Sequence, residues 1–201
     1  MIRNETLTPQ ESLAANGLSF HWASRFLGAR MGFNAARLYA FCRLLDDMAD
    51  DDIPDGAARL ARIGADIAKG RKGEDPAFAV FHPFMIEMRF SPDVLSALIE
   101  GLVQDQADEV CLEDEAALLR YAYRVAGTVG LLMCDVLECR DKSARAHAID
   151  LGIGMQLTNI ARDVLEDAQM GRRYLPGVWV NNMSPTAICA AANTPDSANS
   201  Q

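Results

Sequence analysis

Basic residues are in deficit in this chain of 201 residues: 19 Lys and Arg stand against 28 Asp and Glu, for a formal net charge of −9. That balance excludes the broad positive face that nucleic acid requires. An anionic small substrate stays acceptable, because bound cations can invert a local field. Histidine is scarce, and His21, His82 and His147 show no metal-ligand spacing, so they read as structural or surface groups. The five cysteines (Cys42, Cys111, Cys134, Cys139 and Cys189) are odd in number and form no CxxC pair. They read as reduced, buried thiols of a cytoplasmic protein rather than a disulfide framework. The first residues, Met1 to Ser12, contain no apolar core of a secretory signal. No apolar run approaches the ~20 residues of a spanning helix; the longest, Val125 to Cys134, leaves only peripheral attachment at the inner membrane open.

The chain does have a composition that is 50% hydrophobic, enough for one core and one domain. Thr8-Pro9-Gln10-Glu11 reads as a capping box opening a helix to about Phe26. Further helices are predicted over roughly 32–50, 57–69, 76–89 (with Pro83 as a kink or break), 91–109, 114–139 and 143–170. Ile53-Pro54-Asp55-Gly56 is a turn. No segment reads as a convincing strand, so an all-α domain over 1–184 is expected. Residues 185–201, rich in Ala, Asn, Ser, Thr and Pro, are expected to be an irregular tail.

Two segments carry the chemistry. In Tyr39-Ala-Phe-Cys-Arg-Leu-Leu-Asp-Asp-Met-Ala-Asp50, the residues Tyr39, Arg43, Asp46 and Asp50 share one helix face, beside an apolar stripe of Leu38, Phe41, Leu45 and Met48. In Gln156-Leu-Thr-Asn-Ile-Ala-Arg-Asp-Val-Leu-Glu-Asp167, Gln156, Asn159, Asp163 and Asp167 do the same, beside Ile153, Leu157, Ile160 and Val164. A solvated face usually lies opposite the core stripe, whereas a polar stripe beside it can line a cavity. Paired carboxylates at D-x-x-x-D spacing repel one another unless a cation sits between them. Mg²⁺ prefers oxygen donors and completes its shell with water and phosphate, so two such helices could hold ions around one diphosphate. Arg43 and Arg162 could contact phosphate oxygens. Each acidic run taken alone also fits a solvated face; the matched pair raises the metal–phosphate reading to stand level with it.

These segments resemble the two aspartate-rich signatures of the squalene/phytoene synthase family, the second continuing into Gly171-Arg-Arg-Tyr-Leu-Pro176. Tyr121-Ala-Tyr-Arg-Val-Ala-Gly-Thr-Val-Gly130 resembles the family's central helix, and Ser19-Phe20 its N-terminal Ser-Phe. The resemblance implies an isoprenoid-synthase-type helical bundle around a central cavity. It also implies head-to-head condensation of two prenyl diphosphates with Mg²⁺, or Mn²⁺ in its place. One diphosphate ionises, the second substrate's double bond attacks the allylic cation, and a cyclopropylcarbinyl diphosphate forms and rearranges. Asp46, Asp50, Asn159, Asp163 and Asp167 are then the metal ligands, with Tyr121 near the ionising centre. Ser19, Phe20, Tyr39, Arg43, Val125, Gly130, Gln156, Asn159 and Arg162 are the substrate contacts. Gly127 and Gly130 fit equally a wall of small residues or close helix packing, and Tyr121 equally a half-buried phenol with a satisfied hydroxyl. Where relatives carry a His before the Ser-Phe, this chain has Ala15-Asn16-Gly17-Leu18, which removes one phosphate contact.

The resemblance most favours phytoene formation from geranylgeranyl diphosphate, for which NADPH is not expected. Squalene, dehydrosqualene or presqualene diphosphate synthesis from farnesyl diphosphate is the near alternative. A helical terpene cyclase is disfavoured by the Gln/Asn/Arg context of both motifs, and a non-catalytic assembly factor by retention of Asp46, Asp50, Asp163 and Asp167. Relatives run longer, so the bundle is expected to lack its last helices. That would leave apolar stripes exposed, with self-association and weak activity as consequences.

Overall fold

The computed structural model of the chain describes residues 8–16, 22, 26–50 and 52–192. Caps and turns fix where its helices begin. Helix α1 (Pro9–Asn16) opens on the capping box: the Thr8 amide donates to Glu11 Oε2 at 2.8 Å and the Glu11 amide to Thr8 Oγ1 at 3.3 Å. Helix α2 (Gly28–Ala49) carries the first acidic segment and starts earlier than predicted, on Gly28 in the left-handed region. A turn through Ile53 and Asp55 then folds helix α3 (Gly56–Ala68) back on α2. Only glycine fits at 56, where a Cβ would stand 2.5 Å from the Met48 carbonyl oxygen. The Asp75 carboxylate accepts from the Ala77 and Phe78 amides and so caps helix α4 (Pro76–Met88). The same carboxylate pairs with the Arg59 guanidinium at 2.8 Å. Pro83 leaves α4 continuous rather than broken.

Helix α5 (Pro92–Gln104) stops short of the predicted Glu109. The chain beyond it forms strand β1 (Val110–Cys111), whose pairing is described below. The predicted helix over 114–139 is three pieces: α6 (Glu115–Ala122), a π-helical turn (Tyr123–Gly127) and α7 (Thr128–Val136). The π turn packs directly on α5, and Gly101 makes the room; a Cβ there would lie 2.8 Å from both Arg124 Cβ and Val125 Cγ1. The second acidic segment also divides, into α8 (Lys142–Arg162) and α9 (Val164–Gln169), at Asp163. Helical spacing of hydrogen bonds persists across the break: the Asp163 amide donates to the Asn159 carbonyl and the Asp167 amide to the Asp163 carbonyl. Strand β2 (Arg172–Arg173) then pairs in parallel with β1, Val110 opposite Arg172 and Cys111 opposite Arg173, the one departure from an all-helical pattern among the described residues. A 3-10 turn (Gly177–Trp179) follows.

The tail expected to be irregular instead begins with helix α10 (Pro185–Ala192), and residues beyond it lie outside those described. Pro185 supplies a preset first helical residue, the Ser184 hydroxyl accepts from the Ala187 amide, and Ala-Ile-Cys-Ala-Ala-Ala propagates readily.

Burial falls into two clusters. The larger packs Leu38, Phe41, Leu45 and Met48 of α2 against α3, α4, α5 and α7, with Leu60, Phe78, Leu95 and Leu132 inaccessible to solvent. Full burial of each such side chain contributes roughly 1.5–3 kcal/mol. The smaller joins Val110, Leu112, Leu118, Tyr121, Ile160 and Tyr174. Partly buried Val125 packs against both clusters. Helix α8 has a single fully buried residue, Ile160, and exposes Leu151 and Met155.

Candidate functional site

A cleft of about 400 Å³ lies at the seam between the two clusters. Helix α2 contributes Arg43, Asp46, Ala49 and Asp50; α8 and α9 with the residue between them contribute Gln156, Asn159, Ile160, Asp163 and Asp167. Leu102 of α5, Tyr121 of α6 and Val125 of the π turn complete the apolar side, and Asp105, Arg172 and Tyr174 close the far end. A wider groove of about 1220 Å³ runs between α2, α3 and α4. Its charges are mostly neutralised in pairs, Arg59 with Asp75 and Arg71 with Asp66. The smaller cleft is therefore the candidate site: its acids share one lining, and neither Asp46 nor Asp167 forms an ion pair among the described residues.

Crowding of like charges shows in the acidities. Burial pushes the Asp46 carboxyl up to about 7, with Asp50, Asp47 and Asp105 adding to the rise against the pull of Arg43. Burial and Asp163 raise Asp167 to about 6, partly offset by Arg172. Asp163 moves the other way, because the Arg162 guanidinium donates to it, at 2.6 Å from Nε. A cation in the cleft would relieve the repulsion among these acids. The donors are hard carboxylate and amide oxygens, which suit Mg²⁺. Among the described residues no three His, Cys, Asp or Glu side chains converge tightly enough to cage a metal alone.

A second layer fixes the first. Asp47 is buried and holds Arg43 Nη2 at 2.6 Å, so the guanidinium is anchored from below while part of it stays open to the cleft. Arg172 donates to Asp50 Oδ1 at 2.9 Å and reaches the Asp105 carbonyl at 3.4 Å, tying β2 to both α2 and the end of α5. The Asp105 carboxylate accepts from the Tyr121 hydroxyl on one oxygen and the Tyr174 hydroxyl on the other, each at 2.8 Å. The two rings stack at 4.7 Å. Burial raises Asp105 against the lowering effect of these bonds, and burial likewise pushes both phenols well above the usual range.

Most of the predicted site residues share this cleft: Arg43, Asp46, Asp50, Tyr121, Val125, Gln156, Asn159, Asp163 and Asp167. Three stand elsewhere. Tyr39 is half-buried on α2, outside the cleft lining. Arg162 is exposed and engaged with its neighbour Asp163. Gly130 faces α8, where a Cβ would come within 2.2 Å of the Ala148 carbonyl oxygen, so it serves close helix packing rather than the cleft wall. Ser19 and Phe20 lie outside the described residues. Sequence reasoning did not single out Asp105, Arg172 or Tyr174. The Gly171-Arg-Arg-Tyr-Leu-Pro stretch was a signal for the last two; Asp105 gave none.

The sequence profile of the family described as squalene/phytoene synthase matches residues 13–199. The phytoene synthase of Rhodobacter capsulatus is 38% identical over 188 residues, 90% of this chain and 55% of that protein. The presqualene diphosphate synthase of Rhodopseudomonas palustris is 33% identical over 92% of this chain and 67% of its own length. A crystal structure of a dehydrosqualene synthase in complex with ligand superposes with a TM-score of 0.72 at 30% identity, over 87% of this chain and 63% of that one. The chain spans about half the length of the phytoene synthases of Rhodobacter capsulatus and Cereibacter sphaeroides that it matches.

Proposed function

From the premise that this chain belongs to the squalene/phytoene synthase family, we propose that it performs head-to-head condensation of two prenyl diphosphates, with geranylgeranyl diphosphate as substrate and phytoene as product. The observation that carries the reading is the meeting of two D-x-x-x-D pairs, Asp46 with Asp50 and Asp163 with Asp167, in one cleft beside Tyr121. The repeated phytoene synthase likeness supports the choice of product.

Asp46, Asp50, Asn159, Asp163 and Asp167 are the residues to hold Mg²⁺, which when bound supplies charge stabilisation for the departing diphosphate. Arg43, anchored by Asp47, and Arg172, paired with Asp50, are the cations to contact phosphate oxygens. Leu102, Val125 and Ile160 exclude water from the cationic carbon, which would otherwise be captured as an alcohol. Among the described residues no helix is long and apolar enough to cross a membrane; the apolar product makes peripheral contact with a bilayer a further part of this proposal.

The test is incubation with Mg²⁺ and labelled geranylgeranyl or farnesyl diphosphate, with and without NADPH. Phytoene from the longer substrate, independent of NADPH, is expected. Presqualene diphosphate or dehydrosqualene from the shorter one would establish the second reading, which the Rhodopseudomonas relative favours. Asp46→Asn or Asp163→Asn should each lower turnover at least about 100-fold, since each removes a ligand for the ion that stabilises the leaving group. Retained turnover would sink the metal assignment.

A further inference from the structure

Asp105 is a buried carboxylate that pairs with no Lys or Arg side chain at its carboxylate oxygens among the described residues; its partners there are two phenols. Burying a charge in that setting costs several kcal/mol, and a neutral or apolar residue of similar size would generally be cheaper for folding alone. The arrangement has a specific chemical result. Tyr121 lines the cleft, and its hydroxyl proton is committed to Asp105 Oδ2 at 2.8 Å. Tyr174 takes the other oxygen and stacks on the Tyr121 ring at 4.7 Å, so the carboxylate cannot turn without breaking one bond or the other. What Tyr121 has left for the cleft it lines is a phenol whose proton is already spent and an aromatic ring whose π face carries the negative charge. Such a group favours positive charge and offers no proton to a diphosphate. The Arg172 guanidinium bonds the Asp105 carbonyl and the Asp50 carboxylate rather than the Asp105 carboxylate.

We propose that Asp105 is a positioning residue that holds Tyr121 as a proton-committed, electron-rich phenol facing the carbocationic part of the substrate. The inference rests on the prenyl diphosphate reading for its substrate, but not for its geometry. Asp105→Asn leaves one acceptor oxygen for two hydroxyls and frees the Tyr121 proton to turn towards the cleft.

Turnover of geranylgeranyl diphosphate with Mg²⁺ is to be compared for the protein, Asp105→Asn, Tyr121→Phe and the double variant, beside near-ultraviolet circular dichroism of each. Asp105→Asn is expected to lower kcat about tenfold or more while KM moves less than about threefold. The double variant should be no more than about twofold slower than Tyr121→Phe, because the two residues act as one unit. Effects that multiply, or wild-type kcat in Asp105→Asn, would overturn the proposal. If the unaltered protein turns over no prenyl diphosphate, the functional reading fails, and the tyrosine dichroism decides the positioning role: its loss in Asp105→Asn with helical content retained supports it, and an unchanged band refutes it. If Asp105→Asn does not fold, proton NMR of the unaltered protein carries the test. A slowly exchanging hydroxyl proton that disappears in Tyr121→Phe supports the bond, and a rapidly exchanging one overturns it.

Discussion

At the scale of single residues, the cleft is a place where folding and function oppose each other. Burial pushes the Asp46 carboxyl up to about 7 in the folded chain, against 3.8 for an unburied carboxyl. Between those values the folded chain binds this proton more tightly than the unfolded one. Stability from this group therefore falls as pH rises through the window, and is recovered as pH drops towards the lower value. Asp167, raised to about 6, acts in the same direction, more weakly because it is more exposed to solvent screening. In chelator, Asp46→Asn is expected to stabilise the chain at about pH 8 by on the order of 1–2 kcal/mol, or roughly 2–6 °C in Tm. The gain should shrink towards pH 4, where the folded chain's carboxyl is protonated and the unfolded chain's is about half so. Thermal melts across that range check it. A variant less stable than the unaltered chain at the alkaline end would show that Asp46 is already compensated by its surroundings. The same substitution that stabilises the metal-free chain is the one expected to abolish turnover.

At the scale of elements, the glycines where α8 packs on α7 and the π turn separate packing from cavity lining. A Cβ at Gly130 would meet the Ala148 carbonyl oxygen at 2.2 Å, and one at Gly152 the Ala126 carbonyl oxygen at 2.4 Å, whereas Gly154 on the same helix faces open space. Gly130→Ala is expected to cost about 1–3 kcal/mol by forcing the two helices apart. Gly154→Ala should be neutral or stabilise by up to about 1 kcal/mol through helix propensity. Denaturant unfolding of the two variants distinguishes them, and equal effects would mean that the helices are free to separate. These elements also show how much was legible beforehand. The stripes of α2 could be read because Leu38, Phe41, Leu45 and Met48 repeat with the helical period beside Arg43, Asp46 and Asp50. The π turn could not: Tyr123 to Gly127 has ordinary helical composition, and its extra residue answers to the close approach of α5 at Gly101. The β1–β2 pairing is two residues long and joins segments far apart in the chain, so no local pattern announces it. Asp105 was hidden for the same reason. It reads as one acid in the run after α5, and only the fold brings Tyr121 and Tyr174 to its two oxygens.

At the scale of the whole molecule, the cleft lies between two buried clusters, with Val125 packed against both. The first aspartate pair belongs to the larger cluster and the second to the smaller, with Arg172–Asp50 an ion pair that crosses between them. A ligand that binds both pairs at once therefore links the clusters, and its binding energy adds directly to folding stability. At 100 times its dissociation constant such a ligand contributes about 2.7 kcal/mol, or roughly 5–10 °C in Tm. Mg²⁺ with inorganic pyrophosphate is the probe. Mg²⁺ alone should do much less, because no three protein acids cage it among the described residues. Pyrophosphate alone should also do little, because it meets the acids of the cleft with their charge uncompensated. The combined shift should be lost in both Asp46→Asn and Asp163→Asn, although one residue lies in each half. If pyrophosphate without metal stabilised the chain as strongly as the pair, Arg43 and Arg172 would be the whole anion site. The aspartates would then be bystanders, and the reading of this cleft as a bridge between two acidic helices would fail.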